Sequence, residues 1–225
     1  MEEFSEFSID CEESAVDIFA QFGVVHLHGA LTEAEQQALW TTCLQAGAKN
    51  PVKTTAQAHF SVASTNMKED PLGKFGELLF MRSAVEVAKQ MTQEEMQAEP
   101  SLNRLQDILS GAKPVNLHAI QGINYGVHNN MRNHSDGPFQ LFTMSVSLGD
   151  SIEFTVGQRT GSPHKNERSG KPITLIMQSG DAIYFDGGSI PHAVDRIIPD
   201  TAPSWWKRAK TPNGSRAVCL FRENL

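Results

Sequence analysis

The strongest constraint on the fold is the second half of the sequence, where short apolar segments alternate with turn signals. The turn signals are clusters of Gly, Pro, Asp and Ser, as at residues 136–138 and 179–181. Many short strands separated by such turns are typical of an antiparallel sandwich or barrel. The predicted strands are residues 115–125, 141–148, 152–157, 173–178, 181–186, 192–197 and 215–222. We therefore expect a β-core over about residues 114–225.

The first half is patterned as helices. Thr32 stands three residues before Glu35, which is the spacing of a helix-capping box. The predicted elements are a strand at 23–29 and helices at 34–44, 81–97 and 102–109. Residues 48–72 are polar and irregular and are predicted to form a long loop. Helices followed by an antiparallel core predict an α+β protein with its supporting helices on one outer face.

The length of 225 residues fits one domain, since domains commonly contain ~100–200 residues. Residues 1–15 are acidic and weakly patterned, so we expect a flexible terminus followed by a single domain over 16–225. No run of ~18 apolar residues is present, and no membrane span is expected. Three widely spaced cysteines argue against a disulfide framework and favour an intracellular protein of the cytoplasm or nucleus.

The charge is unevenly distributed along the chain. The net charge is −7, but the first 40 residues hold nine Asp and Glu and no Lys or Arg. Residues 157–171 and 203–216 are locally basic. Two interpretations stay open at this point: the basic stretches are solvated loops, or they form a patch that meets an anionic partner.

A candidate metal site is formed by an HxD pair and a later histidine. His134 and Asp136 are two residues apart, and alternation along a strand places both on one face. Chance alone produces such pairs often, so a third ligand is needed. His192 is that candidate, because it follows a glycine turn and opens a predicted strand. Two histidines and one carboxylate form the facial triad of non-haem Fe(II) oxygenases.

Two arginines on the last predicted strand suggest an anion site. Arg216 and Arg222 are six residues apart, so both lie on one strand face among apolar neighbours. Buried guanidinium groups are costly unless each meets an anion. A dicarboxylate such as 2-oxoglutarate satisfies both through paired hydrogen bonds. The alternative is an edge strand that leaves Arg222 in water.

The order of these residues resembles the AlkB family of Fe(II)/2-oxoglutarate dioxygenases over about residues 115–225. The shared features are Tyr125 at a strand end, His134 and Asp136, the block Ser145-Val146-Ser147-Leu148-Gly149, Gly180-Asp181, His192 and the Arg-x5-Arg pair. The serine-containing block and the arginine spacing are the specific parts. Val218 and Ile123 stand where the family commonly has asparagine, although Asn124 is adjacent to the second position.

The resemblance implies a double-stranded β-helix, a variant of the jelly roll, with N-terminal helices. It implies Fe(II) on His134, Asp136 and His192, which would be the catalytic centre. It further implies 2-oxoglutarate bound by Arg216 and Tyr125, with Asn124 nearby and Arg222 facing the carboxylate next to the metal. The expected reaction uses O2 to oxidise a substrate C–H bond and releases succinate and CO2.

The substrate is the open question. Arg159 lies in the basic stretch where AlkB-like proteins carry a substrate-facing hairpin, and Trp205 and Trp206 precede Lys207 and Arg208, a combination suited to stacking on bases. The alternative for the two tryptophans is a packed lid over the sheet, and their pattern favours it slightly. The acidic first 40 residues and Pro138, where nucleic-acid members often have an acidic residue, count against a nucleic acid.

Three functions are therefore carried forward. The first is oxidative N-demethylation of an alkylated base in single-stranded or duplex nucleic acid. The second is hydroxylation of a protein side chain or a small molecule by the same chemistry. The third is a non-catalytic jelly-roll binding domain. The predicted loop 48–72, with His59 and Phe60, is a candidate substrate lid in the first two cases.

Overall fold

The structure is a computed structural model that describes residues 16–49, 51–53, 58–62, 67–137, 140–157, 171–208 and 215–224. The strands of the described chain are β1 Val16–Phe19, β2 Val24–Leu27, β3 Pro51–Lys53, β4 Ala58–Val62, β5 Leu117–Tyr125, β6 Met131–His134, β7 Leu141–Gly149, β8 Ser151–Val156, β9 Ile173–Met177, β10 Ala182–Asp186, β11 His192–Ile198 and β12 Arg216–Asn224. The helices are α1 Glu33–Lys49, α2 Pro71–Gln90, α3 Gln93–Gln97, α4 Pro100–Leu109 and α5 Ser204–Arg208.

Two antiparallel sheets form the β-core. The larger has the strand order β1-β2-β10-β7-β12-β5-β4-β3, and the smaller has the order β6-β11-β8-β9. Strands that are distant in sequence are neighbours, as where β12 lies between β5 and β7. This arrangement confirms the predicted α+β class with a double-stranded β-helix core.

The larger sheet separates two apolar regions. Its outer face packs against α1, α2 and α4 through residues such as Leu39, Phe80 and Leu105. Its inner face meets the smaller sheet through a second cluster that includes Phe154 and Phe185. Alternation along each strand of the larger sheet sends side chains in turn to these two regions. The helices thus support one face and leave the other free to line a site.

The capping signals act as predicted. The backbone N–H of Thr32 donates to Oε2 of Glu35 at 2.8 Å, and that of Glu35 donates to Oγ1 of Thr32 at 3.3 Å. The predicted helix at 81–97 is wrong in its bounds, because α2 begins at Pro71 and ends at Gln90, before a second capping box of Thr92 and Glu95 opens α3.

The predicted loop over residues 48–72 is also wrong in part. Residues 51–53 and 58–62 form a hairpin, and its strand β4 pairs with β5 over Ala58–Val62. The short β-strands lack a strong alternating pattern, and pairing with the edge of an existing sheet stabilises them. The side chains of His59 and Phe60 lie outside the described residues, so their role as a lid stays a prediction.

The described helices include none with the length and apolar character needed to cross a membrane.

Candidate metal centre and cosubstrate pocket

The ends of two neighbouring strands bring His134, Asp136 and His192 together. His134 is the last residue of β6 and pairs directly with His192, the first residue of β11. The expected alternation along one strand is wrong for Asp136, which follows β6 in a bend. Its backbone N–H donates to the carbonyl oxygen of Gly187 at 2.8 Å. A Cβ atom at Gly187 would lie 2.8 Å from Oδ2 of Asp136. The glycine turn before His192 therefore makes room for the carboxylate.

The three side chains are close enough to share one ion. Nε2 of His134 lies 3.5 Å from Oδ1 of Asp136, and Nε2 of His192 lies 3.8 Å from the same oxygen. Two ligands with bonds of ~2.0–2.2 Å to one ion are separated by at most ~4.4 Å. The donor set of two imidazoles and one carboxylate fits Fe(II) and leaves coordination positions for other groups.

Backbone carbonyls orient both imidazoles. Nδ1 of His134 lies 2.8 Å from the carbonyl oxygen of Arg132, and Nδ1 of His192 lies 2.9 Å from that of Ile190. A carbonyl accepts a hydrogen bond only from a protonated Nδ1, which leaves the Nε2 lone pair free in the neutral ring. Metal-binding histidines are commonly held in this way. Both Nε2 atoms are thus prepared to bind a metal.

The protonation states also suit a metal centre. Burial lowers the pKa of His192 to about 4. Burial would raise the pKa of Asp136, but its hydrogen bond with His134 and the charges of His192 and Arg222 lower it to about 2. The hydrogen bond with Asp136 raises the pKa of His134. At neutral pH, His192 is therefore a neutral imidazole and Asp136 a carboxylate, the forms that bind divalent metals.

Arg216 is a buried cation without an anionic partner among the described residues. Only 1% of it is exposed. Nη2 donates to Oγ of Ser147 at 3.2 Å, whereas Nε and Nη1 have no partner within the described part of the chain. Burial lowers its pKa to about 10, so it stays charged at neutral pH. Such a group is unfavourable unless an anion binds to it, and one carboxylate of 2-oxoglutarate fits it.

Arg222 holds the carboxylate of the metal site. Its Nη2 donates to Oδ2 of Asp136 at 3.1 Å, and its Nη1 donates to Oε1 of Gln121 at 2.6 Å. Oδ1 of Asp136 is then left to face the two histidines. The structure pairs Arg222 with Asp136, and the contact with a cosubstrate carboxylate that the resemblance implied stays a prediction. Arg222 is in this arrangement a positioning residue for a metal ligand.

One cavity of about 190 Å³ contains the triad and both arginines. Tyr125 also lines it, and its ring centroid lies 4.9 Å from Cζ of Arg216. The remaining wall is mainly apolar and includes Ile123, Ile152, Phe154, Val194, Val218 and Leu220. A charged end and an apolar wall are suited to a small anion bound beside a metal, with water largely excluded.

Asn124 is not part of this cavity. It pairs with Ala217 in the sheet, and both residues fall on the face opposite Tyr125 and Arg216, which line the cavity. The expectation that Asn124 assists 2-oxoglutarate is therefore wrong, because a shift of one residue along a strand changes the face. Ile123 and Val218 take the inward positions.

Trp205 and Trp206 belong to the core. They are exposed by 7% and 4%, and the ring of Trp206 lies 4.8 Å from that of Trp40 on α1. Both join the apolar cluster under the helices. The structure thus supports the packed-lid interpretation and excludes their stacking on a substrate base. Arg159 lies outside the described residues, and its contact with substrate stays a prediction.

Two site residues were missed from the sequence. Gln121 holds Arg222, and Ser147 holds Arg216. Gln121 lies four residues before Tyr125 on the same strand, an even spacing that assigns it to the same face. Ser147 belongs to the serine-containing block used for the resemblance. Spacing was therefore the available signal for both residues.

Residues 23–222 match the family model of the 2OG-Fe(II) oxygenase superfamily. The chain belongs to this superfamily. It is an oxidoreductase that uses 2-oxoglutarate with Fe(II), and O2 is the cosubstrate of the family. Bound Fe(II) supplies the activation of O2 that is coupled to the oxidation of 2-oxoglutarate. In this chain, backbone carbonyls orient both histidines and Arg222 holds Asp136, whereas the binding of the cosubstrate by Arg216 stays a prediction.

Solved structures share the fold at low sequence identity. OsALKBH1 is 19% identical, with a TM-score of 0.66, over 93% of this chain and 100% of that one. The α-ketoglutarate-dependent epimerase SnoN of nogalamycin biosynthesis is 15% identical, with a TM-score of 0.54, over 92% and 80%. HygX from Streptomyces hygroscopicus, with nickel, 2-oxoglutarate and hygromycin B bound, is 12% identical, with a TM-score of 0.51, over 91% and 83%. A sequence comparison with curated proteins gave no match.

Proposed function

We propose that this protein is an AlkB-like oxygenase that removes an N-alkyl group from a nucleic acid base. The observation that carries the proposal is the placement of both arginines of the Arg-x5-Arg pair in the same cavity as the triad. That arginine spacing is one of the specific features of the resemblance to AlkB. Arg216 is available for a carboxylate, and Arg222 supports the metal ligand Asp136.

The overall fold supports the same proposal. The likeness to OsALKBH1 has a TM-score of 0.66 and covers the whole of that chain, compared with 0.54 for SnoN and 0.51 for HygX. The locally basic stretches at 157–171 and 203–216 provide positive charge for a phosphate backbone. Most of these residues lie outside the described part of the chain.

The reaction balances as follows. A substrate N-methyl group, 2-oxoglutarate and O2 yield an N-hydroxymethyl group, succinate and CO2. One oxygen atom enters succinate and the other enters the new hydroxyl group. The C–N bond of the N-hydroxymethyl group then breaks, its electron pair stays on the nitrogen, and the hydroxyl proton moves to that nitrogen as formaldehyde leaves. The apolar cavity wall protects the oxidising step from water.

The second candidate is a small-molecule or protein side-chain hydroxylase of the same superfamily. The apolar cavity wall favours it, because a substrate of modest size could be enclosed there. SnoN is an epimerase from nogalamycin biosynthesis, and the HygX structure has hygromycin B bound. The burial of the two tryptophans also removes one reason for choosing nucleic acid.

The test is succinate release by anaerobically purified protein supplied with Fe(II) and 2-oxoglutarate. N-methylated and unmethylated single-stranded oligonucleotides are compared, with His134→Ala as the inactive control. We expect the methylated strand, but not the unmethylated one, to raise turnover. The amount of formaldehyde released should equal the amount of additional succinate. Slow Fe(II)-dependent turnover that ignores the methylated strand would overturn the nucleic-acid proposal and favour the second candidate.

A further inference from the structure

A second group of two histidines and one aspartate lies outside the catalytic centre. Asp17, His26 and His28 each place a potential ligand atom within 4.8 Å of the others. The group lies on β1, on β2 and directly after β2, whereas the catalytic ligands come from β6, the bend that follows it and β11. Neither the catalytic centre nor the cosubstrate pocket uses any of these three residues.

The sheet register explains why the three side chains meet. Asp17 of β1 pairs directly with His26 of β2, and directly paired residues point to the same face. His28 is two residues beyond His26 and returns to that face. Nε2 of His28 lies 2.9 Å from Oδ2 of Asp17, and the two imidazole rings are 4.0 Å apart between centroids.

His26 provides an independent indication of a ligand. It is 1% exposed, and its Nδ1 atom has no hydrogen-bond partner in the described part of the chain. Its Nε2 atom lies 3.4 Å from Oδ2 of Asp181. Asp181 is held in turn by the backbone N–H groups of Gly29 and Gln178 at 2.8 and 2.7 Å. A buried ring nitrogen without a partner is unfavourable unless something binds to it.

This environment resembles that of a metal-binding histidine. Such a histidine donates one ring N–H to a carboxylate, which fixes the tautomer and leaves the other nitrogen as a lone-pair donor. Asp181 is placed to accept from Nε2 of His26, which leaves Nδ1 as the ligand atom. The side chains of His28 and Asp17 are 40% and 58% exposed, so an ion can enter from solvent.

We propose that Asp17, His26 and His28 form a second metal site that binds Zn²⁺. Two imidazoles and one carboxylate are a common ligand set for Zn²⁺, and three protein ligands leave a position for water. Bonds of ~2.0–2.1 Å in a tetrahedral site separate ligands by ~3.3–3.4 Å. The exposed Asp17 and His28 therefore need to move apart by only a few tenths of an ångström. The bound ion would join the edge strand β1 to β2.

The experiment must separate this site from the catalytic centre, which has the same donor types. Tag-free, full-length protein is freed of metal, loaded with Zn²⁺ and passed through a desalting column, and zinc per chain is measured. We expect two zinc ions in the wild type and one in His28→Ala or Asp17→Asn. Both substitutions change exposed side chains, and His128→Ala is the control that removes an exposed histidine outside both groups.

A second arm uses His134→Ala/Asp136→Ala, in which the catalytic centre is disabled. We expect this protein to keep one zinc ion, to melt at a higher temperature with Zn²⁺, and to show the intense visible bands of tetrahedral Co²⁺. Adding His28→Ala should remove all three properties, and adding His128→Ala should remove none. Equal zinc content with and without His28 in both arms would overturn the proposal. The proposal would also be overturned if the wild type and the His28→Ala variant each retained one zinc ion.

Discussion

Arg104 and Arg216 are equally buried, with 2% and 1% exposed, but their surroundings differ completely. Arg104 donates from Nε and Nη2 to the two carboxylate oxygens of Glu223, at 2.9 and 2.7 Å, and from Nη1 to the carbonyl of Lys113 at 2.7 Å. Within the described residues, the side chain of Arg216 makes one hydrogen bond, to Ser147. Burial alone therefore does not distinguish a structural arginine from one that is available to a ligand. The two are distinguished by whether the N–H donors of the guanidinium group are paired within the protein.

The physical reason is the balance between desolvation and pairing. The interaction with Glu223 repays the cost of burying Arg104 within the folded chain. No group in the described part of the chain does the same for Arg216 at Nε and Nη1. We expect a carboxylate of 2-oxoglutarate to pair with these two nitrogens. The predictions below test this difference, from the largest expected effect to the smallest.

Replacing Arg104 with methionine should lower the free energy of unfolding by about 3–5 kcal/mol, because Glu223 would remain buried without its partner. Urea unfolding followed by circular dichroism measures this. The double variant Arg104→Met/Glu223→Leu should recover a large part of the loss, since no lone charge is left inside. A double variant less stable than the single one would contradict the assignment of this pair as structural.

Replacing Arg216 with methionine should leave stability equal or higher, because it removes an unpaired buried charge. At low 2-oxoglutarate concentration, turnover should fall roughly 30- to 5,000-fold, which corresponds to about 2–5 kcal/mol of apparent free energy. Succinate release and thermal unfolding are measured on the same samples. Arg216→Lys keeps the charge but loses the planar pair of donors, so its turnover should lie between those of the wild type and Arg216→Met. If Arg216→Met lost as much stability as Arg104→Met, the two arginines would not differ in the way described here.

The Arg82–Glu35 pair extends the comparison to pH. Burial raises the pKa of Glu35, but the hydrogen bond from Arg82 at 2.7 Å and those with Thr32 outweigh it and lower the pKa below that of an ordinary glutamate. The stabilisation is thus fully present above the pKa of the unfolded chain and is lost as pH falls through the lower folded pKa. Glu35→Gln should cost about 1.5–3 kcal/mol at pH 7.

The measurement is urea unfolding of wild type and Glu35→Gln between pH 7 and pH 3. The stability difference should be constant above about pH 5 and shrink at lower pH. A difference that grows towards acid pH would show that the carboxylate is not the stabilising form. Arg216 has no corresponding carboxylate among the described residues, so its variant should show no such loss in this range.

The smallest effect concerns Ser147, whose Oγ accepts a hydrogen bond from the guanidinium group of Arg216. Ser147→Ala should weaken 2-oxoglutarate binding by about 1 kcal/mol, or roughly fivefold in KM, because the guanidinium group loses orientation. The kcat value should change little. Ser83→Ala is a matched control, since this buried serine bonds to the carbonyl of Leu79 within α2. Equal KM changes in both variants would show a general loss of packing.

Some parts of the fold and site were readable from local patterns. The capping box at Thr32, the strands from 115 onward except β6, which was not predicted, and the even spacing of Arg216 and Arg222 depend on residues near each other in the sequence. The bounds of α2 were not predicted correctly although local signals mark them, since Asp70 and Pro71 begin this helix and the capping box of Thr92 opens the next one. The β3–β4 hairpin was missed because it depends on pairing with β5. Asn124 was misjudged for a similar reason, since the register sets the face that each residue occupies.

The sequence by itself determined the class of core, the candidate metal ligands and the presence of two arginines on one strand face. These follow from periodicity and residue chemistry, which act over a few residues. Only the tertiary structure decided that Arg222 pairs with Asp136, that Trp205 and Trp206 lie in the core, and that Asp181 meets His26 across 155 residues of chain. Such contacts join distant segments, and only the pairing of strands and sheets brings those segments together.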